Sequence, residues 1–369
     1  MSSDCTPIFD ILTQDLVTEI LIRLPVKSIL CCKSVSKTWL SQISNPNFIK
    51  SHLNHTLTTP GSDQTLILNG GRKTMSLLHL DSCAIATSLF DFPFELNIYF
   101  KTAGCCNGII CFWHAPDFDR VKNPYTYLWN PATKQAKLIP PHNIHFDKIT
   151  MVCFGFGFDP IGNDYKVVAL LACFGKPWTA EVYSANTNVW RRVEPNPKDL
   201  PSYGDLDVCV NGYLCCMGTY GMLAFDLNKE VFTSHIKLPK CFWPVRITDF
   251  NDYISVTASK EYDLNDVFNL WKLDDEACLR DSGVEASWTL MLCIDVGRRV
   301  DFVFGYFNSG DFLLHAEEDH AWILYNTDKK ETRNFPVSLH DGRTLKYNES
   351  LVSINGFKQL NLLACEDDS

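Results

Sequence analysis

The chain has 369 residues, 46% of them hydrophobic and 21% charged, the balance of a folded globular protein with room for more than one domain. Its formal net charge of −10 argues against a general nucleic-acid binder, which needs a basic face. No apolar run approaches the roughly 18 to 20 residues of a membrane helix, and no basic-then-apolar leader opens the chain, so the expectation is no membrane and a cytoplasmic or nuclear location.

The first element after Thr13, a candidate N-cap, carries Leu16, Val17, Ile20, Leu21 and Leu24 at the spacing of one helix face. Pro25 ends it or opens the next helix, where a missing N–H costs little. A second short run holds Val26, Ile29 and Leu30, and a third holds Val35, Trp39, Leu40 and Ile43. Asn45-Pro46 breaks the pattern, and Phe48, Ile49 and Leu53 close it. Three short helices make a core too small to be stable alone, so the unit is expected to complete itself against another chain. Residues 13–53 carry Arg23, Lys27, Lys33, Lys37 and Lys50 against Asp15 and Glu19, a charge of +3 that leaves −13 for the rest.

The run Leu16-Val17-Thr18-Glu19-Ile20-Leu21-Ile22-Arg23-Leu24-Pro25-Val26-Lys27-Ser28-Ile29-Leu30, with Lys33-Ser34-Val35-Ser36-Lys37-Thr38-Trp39 and Ile43-Ser44-Asn45-Pro46-Asn47-Phe48, closely resembles the F-box of plant F-box proteins. The resemblance implies docking on a Skp1-like adaptor and, through it, a cullin. It assigns Leu12, Leu16, Ile20, Leu24, Pro25, Leu30, Val35 and Trp39 to adaptor binding, with Trp39 equally placed as internal core. One departure stands out: the family usually begins Leu-Pro, and here Leu12-Thr13 takes its place.

Residues 54–64 read as a linker, and from 65 to 369 the helical period gives way to short Val-, Ile- and aromatic-rich runs between Gly, Pro, Asn and Asp turns. Two half-motifs recur. Cys106-Asn107-Gly108-Ile109 matches Val210-Asn211-Gly212-Tyr213 and, more weakly, Ser309-Gly310-Asp311. An aromatic followed by a turn recurs at Trp129-Asn130-Pro131-Ala132-Thr133-Lys134, Tyr183 to Trp190, Phe225 to Glu230 and Tyr325 to Lys330, with looser copies at Leu78 to Ser82 and Trp271 to Asp275. Asn and Asp tolerate a left-handed backbone and hydrogen-bond their own turn, so each motif joins two strands tightly. A period near 50 residues with several strands per unit predicts about six β-propeller blades, the alternative being a pair of β-sandwiches. The diglycine of kelch arrays occurs once, at Gly70-Gly71. The fold class expected is therefore α+β and multidomain: a small three-helix F-box at residues 1–53, then an all-β propeller-like domain.

Cys106-Asn107-Gly108, Trp129 to Lys134, Gly155-Phe156-Gly157-Phe158-Asp159, Asn163 to Val168, Glu181-Val182-Tyr183 and Tyr347 to Ser353 are similar to the F-box-associated domain, in the style of S-locus F-box-like proteins. That likeness implies a substrate-recognition subunit of a ubiquitin ligase, with an unidentified protein target. Acidity of the body suggests a basic one. The alternatives are a scaffold without ligase output or a propeller enzyme.

Catalytic signatures are missing. Phe158-Asp159-Pro160 follows Gly155-Phe156-Gly157 where a dinucleotide loop would start a helix, so a strand is the better reading. No Gly-x-Ser-x-Gly elbow, His-Glu-x-x-His helix or P-loop occurs. The sixteen cysteines lie in apolar stretches such as Leu214-Cys215-Cys216, as small hydrophobes rather than a metal set, and neither metal nor cofactor is expected. Residues His142–Asp147, Lys198–Asp205 and Asp274–Ala286 are the candidate target-contacting loops.

Overall fold

Thr13 caps α1 (Gln14–Ile22), its Oγ1 accepting from Leu16 N at 3.5 Å, and turns Val17 and Leu21 inward. Pro25 precedes α2 (Val26–Cys32), and Ser36 caps α3 (Lys37–Ile43) through Trp39 N. The Asn45-Pro46 break is a fourth helix start: Asn45 is the N-cap, Pro46 sits in the first turn, and α4 runs Pro46–Thr58. The helical unit therefore has four helices, and the last extends through residues assigned above to a linker. This is a computed structural model describing residues 13–59, 64–69, 74–79, 84–91, 100–114, 125–142, 151–172, 178–195, 201–233, 236–239, 245–259, 267–281, 283–307, 310–335 and 343–359. Leu12, Gly70-Gly71 and residues 80–83, 143–150, 196–200 and 308–309 lie outside it.

Beyond the helices come strands in antiparallel four-stranded meanders. Unit 1 is β1 (Gln64–Asn69), β2 (Thr74–His79) and β3 (Ala84–Asp91). Unit 2 is β4 (Phe100–Cys106), β5 (Ile109–His114), β6 (Tyr125–Asn130) and β7 (Gln135–Leu138). Unit 3 is β8 (Met151–Asp159), β9 (Asp164–Ala172), β10 (Thr179–Ser184) and β11 (Val189–Val193). Unit 4 is β12 (Pro201–Val210), β13 (Tyr213–Gly218), β14 (Met222–Asp226) and β15 (Val231–Phe232). Unit 5 is β16 (Val245–Phe250), β17 (Tyr253–Ser259), β18 (Val267–Leu273), the short α5 (Ala277–Arg280) and β19 (Trp288–Asp295). Unit 6 is β20 (Val300–Phe307), β21 (Asp311–Ala316), β22 (Trp322–Asn326) and β23 (Glu331–Asn334).

The chain then closes on itself. β24 (Arg343–Tyr347) pairs with β1 and supplies the missing inner strand of unit 1, and β25 (Lys358–Gln359) adds to the edge of β7. Five hydrogen-bonded sheets result, because units 3 and 4 share one eight-stranded sheet through a single parallel bridge, Leu206 to Gly155. Counted as meanders, the described strands form six blade units around an axis, and a closed ring replaces the sandwich alternative.

Gly155-Phe156-Gly157 is thus a strand of unit 3, and its glycines have a packing cause. A Cβ on Gly155 would sit 2.5 Å from Leu206 Cβ, and one on Gly157 2.4 Å from Cys209 Sγ, so only glycine lets β12 approach β8.

The core lies between the faces of neighbouring units rather than within any of them. Trp113 and Leu128 meet Phe154, Phe156 and Tyr183 between units 2 and 3. Val168 and Val182 meet Leu214 and Phe225 between units 3 and 4, and Phe250 and Leu270 meet Phe312 and Leu314 between units 5 and 6. At the 3–4 seam Lys166 Nζ lies 3.2 Å from Asp159 Oδ2 and 3.0 Å from Glu230 Oε1, and donates to Leu227 O at 2.5 Å. Burial works against the Asp159 charge, yet hydrogen bonds from Gly162 N and Asn228 and the Lys166 ammonium hold its carboxyl below the usual range.

Candidate functional site

The turn motifs take the conformation their residues suit. Asn107-Gly108 has φ of 53° and 76°, Asn211-Gly212 has 49° and 82°, and Asn251-Asp252 has 50° and 61°, the doubly left-handed pattern of tight hairpins. Each joins the inner strand of its unit to the next strand. The outer turns share a second pattern, with Lys134, Asn188, Glu230 and Lys330 left-handed at φ of 54° to 58°. There Asn130 Oδ1 accepts from Ala132 N at 3.0 Å, Asp226 Oδ1 from Lys229 N at 2.9 Å, and Asn326 Oδ1 from Lys329 N at 2.9 Å. Because strand directions alternate, both turn families lie on one face of the ring, and the blade-to-blade connections leave from the opposite face.

The helical unit sits on the turn face. Val17, Leu21, Val26, Ile29, Ile43 and Phe48 form its core, and two groups from the ring complete it: buried Leu351 and, packed against them, Ala132 of the β6–β7 turn. Leu351 belongs to a strap that follows β24 across unit 2. Ser350 Oγ donates to Asn107 O at 2.6 Å, Asn130 Nδ2 donates to Ser350 O at 3.0 Å and Val352 O at 2.8 Å, and Lys137 Nζ donates to Asn355 O at 2.7 Å. Within the unit, His52 Nε2 lies 2.9 Å from Leu24 O, tying α4 to the end of α1. The core that looked incomplete in sequence is finished by this chain's own strap.

Several apolar side chains stand outside that core. Leu16 is 52% exposed, Ile20 44%, Val35 64% and Leu40 47%. The single apolar run of α1 divides: Val17 and Leu21 point in, while Leu16 and Ile20, four apart, make a second stripe facing out. Of the residues assigned above to the adaptor, Leu16, Ile20, Pro25 and Val35 are exposed, and Leu24, Leu30 and Trp39 are half-buried against the helical core. Leu12 lies outside the described residues. Leu40 of α3, not among the residues assigned to the adaptor, is exposed as well. Thr13, the departure from the family pattern, is engaged as the helix cap.

The inner strands β24, β4, β8, β12, β16 and β20 surround an axial cavity of about 670 Å³, and Leu57 of α4 reaches its lining on the helical side. Lys346 Nζ stands 3.7 Å from Asp249 Oδ2, and the Arg246 guanidinium lies over the Phe304 ring at 5.2 Å. Burial raises the Asp249 carboxyl, with Asp252 adding to the effect. Cys105 and Cys209 also line the cavity, and burial pushes their thiols up to about 12 and about 11, which leaves them protonated and poor nucleophiles. Among the described residues no group of three His, Cys, Asp or Glu side chains is placed to hold a metal ion, and no helix is long and apolar enough to cross a membrane.

The candidate loops separate by face. Asp274–Ala286, between β18 and β19, lies on the turn face, with Glu276 Oε1 accepting from Asn211 Nδ2 at 2.8 Å. The strands flanking residues 143–150 and 196–200 end on the other face, where the β13–β14 turn also presents Tyr220, 73% exposed. His142 itself is buried, its Nδ1 3.2 Å from Glu181 Oε2 and its ring 3.9 Å from Trp190, so it is packing rather than contact surface.

Comparison with known proteins agrees with this anatomy. Residues 9–51 match the F-box domain, and residues 71–355 match the F-box associated beta propeller domain. An F-box/kelch-repeat protein of Arabidopsis thaliana is 30% identical over 348 residues, 88% of this chain and 90% of the relative. An F-box/LRR-repeat protein of the same plant is 30% identical over 59% of this chain, which spans about half, 53%, of that relative. Among solved structures, TolB from Acinetobacter baumannii aligns with a TM-score of 0.45 at 11% identity, over 82% of this chain and 73% of that one. With one domain match on the helical unit, another over most of the ring, and a near full-length relative, the chain belongs to the plant F-box proteins that carry an F-box-associated β-propeller.

Proposed function

We propose that this protein is the substrate-recognition subunit of a Skp1–cullin–F-box ubiquitin ligase. The observation that carries the reading is the apolar surface of Leu16, Ile20, Val35 and Leu40 on the F-box, left uncovered although the helical core beneath it is complete. Basic side chains Lys27 and Lys37 are exposed on the same unit and suit an acidic adaptor, chiefly by speeding encounter. The ring face opposite the F-box is the proposed target surface, with Tyr220 as an aromatic anchor of the kind that dominates binding energy. The chain makes and breaks no bond in this reading. It contributes proximity, holding a target lysine near the loaded conjugating enzyme.

The test is co-purification of a Skp1-like adaptor and cullin with the full chain and with a Leu16→Asp, Ile20→Asp variant. Both side chains are exposed, so the variant keeps its fold. Capture by the wild type and its loss in the variant are expected; equal capture by both, or none by either, overturns the reading. The acidic body favours a basic target, so target capture should weaken steeply with salt, and a flat salt response would exclude that target class.

A further inference from the structure

Each blade ends in an outer strand whose free edge is open to another strand, and most of these edges are blunted. β7 is covered by β25. β15 has two residues, β11 carries Arg191 and Arg192, and β23 carries Glu331 and Arg333. Two differ from them: β3, whose one charge is the terminal Asp91, and β19. β19 is eight residues long, Trp-Thr-Leu-Met-Leu-Cys-Ile-Asp, with no charge before Asp295. Leu290 is 46% exposed and Met291 42%, and Thr289 and Cys293 are exposed as well. A register shift explains the paired exposure: Leu270 faces Leu292 and Trp271 faces Leu290, so Met291 is the extra residue of a bulge and both side chains stay outside the core.

The charges flanking this edge are ordered. Asp281 and Glu285 precede β19, and Arg298 and Arg299 follow it. Two identical strands pairing antiparallel about a two-fold axis bring the N-terminal flank of one beside the C-terminal flank of the other. Bonded and non-bonded pairs alternate along such a ladder, so the axis must pass through a residue facing its own copy. Centring the axis on Leu292, beside the bulge, puts uncharged side chains together in the middle. It also carries Glu285 of one copy to the Arg298-Arg299 flank of the other. Glu285 now pairs with Lys237 at 2.9 Å, and Arg298 with Asp319 at 3.0 Å. Both pairs are on the surface and exchange partners at little cost. The remaining charge of the strand, Asp295, is turned to its own chain, its Oδ1 accepting from Gly297 N at 2.9 Å.

We propose that the β19 edge of unit 5 joins two copies of this chain in an antiparallel, two-fold dimer. A dimer of this kind presents two F-boxes and two target faces in one particle, and it stands on the strand edge whether or not the adaptor reading holds. The occupant is a second copy because the edge is self-complementary in both parts, uncharged where it would meet itself and opposite in charge where it would not.

The test is the mass of the purified full chain across a concentration series, by sedimentation or light scattering. The mass is expected to rise from one chain to two. Met291→Lys should weaken the dimer at least about tenfold, since each new cation would stand beside the axis and close to its copy, and Leu290→Lys provides a second exposed site for the same measurement. Glu285→Arg should weaken it too, and adding Arg298→Glu should restore it. A single-chain mass at every concentration overturns the proposal, as does a dimer that Met291→Lys leaves intact. A monomer whose Met291→Lys variant loses a bound target would assign the edge to a strand of that target, and this also overturns it.

Discussion

Asn107 and Gly108 show how much of this ring is set by single backbone positions. Gly108 has φ of 76°, and a Cβ there would lie 2.6 Å from both Asn348 O and Ser350 Oγ. Strain and collision both fall on the strap, so Gly108→Ala should cost about 2–3 kcal/mol, read as a lowered melting temperature. An unchanged melting temperature would mean the strap yields freely. His52 makes a second prediction at this scale. Burial lowers its pKa below the usual 6.5, and the neutral ring bonds Leu24 O. The unfolded chain then takes up the proton first, so the His52 contribution is present above pH 6.5 and lost as pH falls below it. Helical-unit stability, followed by hydrogen exchange, should drop as pH falls below about 6.5, and His52→Gln should flatten that drop. The Asn-Gly turns were legible in the sequence because their chemistry is local. Glycines 155 and 157 were legible only as strand residues, since their cause is a neighbouring blade brought close by the fold.

At the scale of elements, the strap does the most and was the hardest to foresee. The segment Tyr347 to Ser353 stood out as a family match, yet nothing local says that Leu351 enters a core formed by residues 17–48. Contacts separated by some three hundred positions leave no period in a sequence. The same limit applies to ring closure, where β24 pairs with β1. The helices were readable from their spacing, but an apolar stripe does not say whether it is buried in a core or left exposed, and α1 has one of each. The Asn45-Pro46 pair was mistaken for a stop because its two residues suit a helix start equally well. Leu351→Ala should remove a buried side chain from the helical core and cost about 3 kcal/mol there, with α1 and α2 losing exchange protection before the ring does. Simultaneous loss across the ring would show instead that the F-box and ring unfold as one cooperative unit.

At the scale of the whole molecule, the strap joins two domains that the sequence had separated by a linker. The F-box is fixed to the turn face by Leu351 and Ala132, and the axial cavity is lined on that side by Leu57. In the proposed function, a target on the far face would be joined to the adaptor through this contact. A period near 50 residues led to an expectation of about six blades, whereas the strands form five hydrogen-bonded sheets because units 3 and 4 are stitched at Leu206 and Gly155. The identity of the target was never in the repeat, because the repeat specifies strands and turns rather than the surface a target would meet.

The central claim is that one chain joins an adaptor to a target for degradation, and trapping tests it most directly. Proteins captured in plant cells by the wild type and by the Leu16→Asp, Ile20→Asp variant would be quantified with and without proteasome inhibition. The account predicts at least one protein that accumulates on the variant, and on the wild type only when the proteasome is blocked. Captured proteins whose amounts are the same for both chains, and indifferent to the inhibitor, would contradict it.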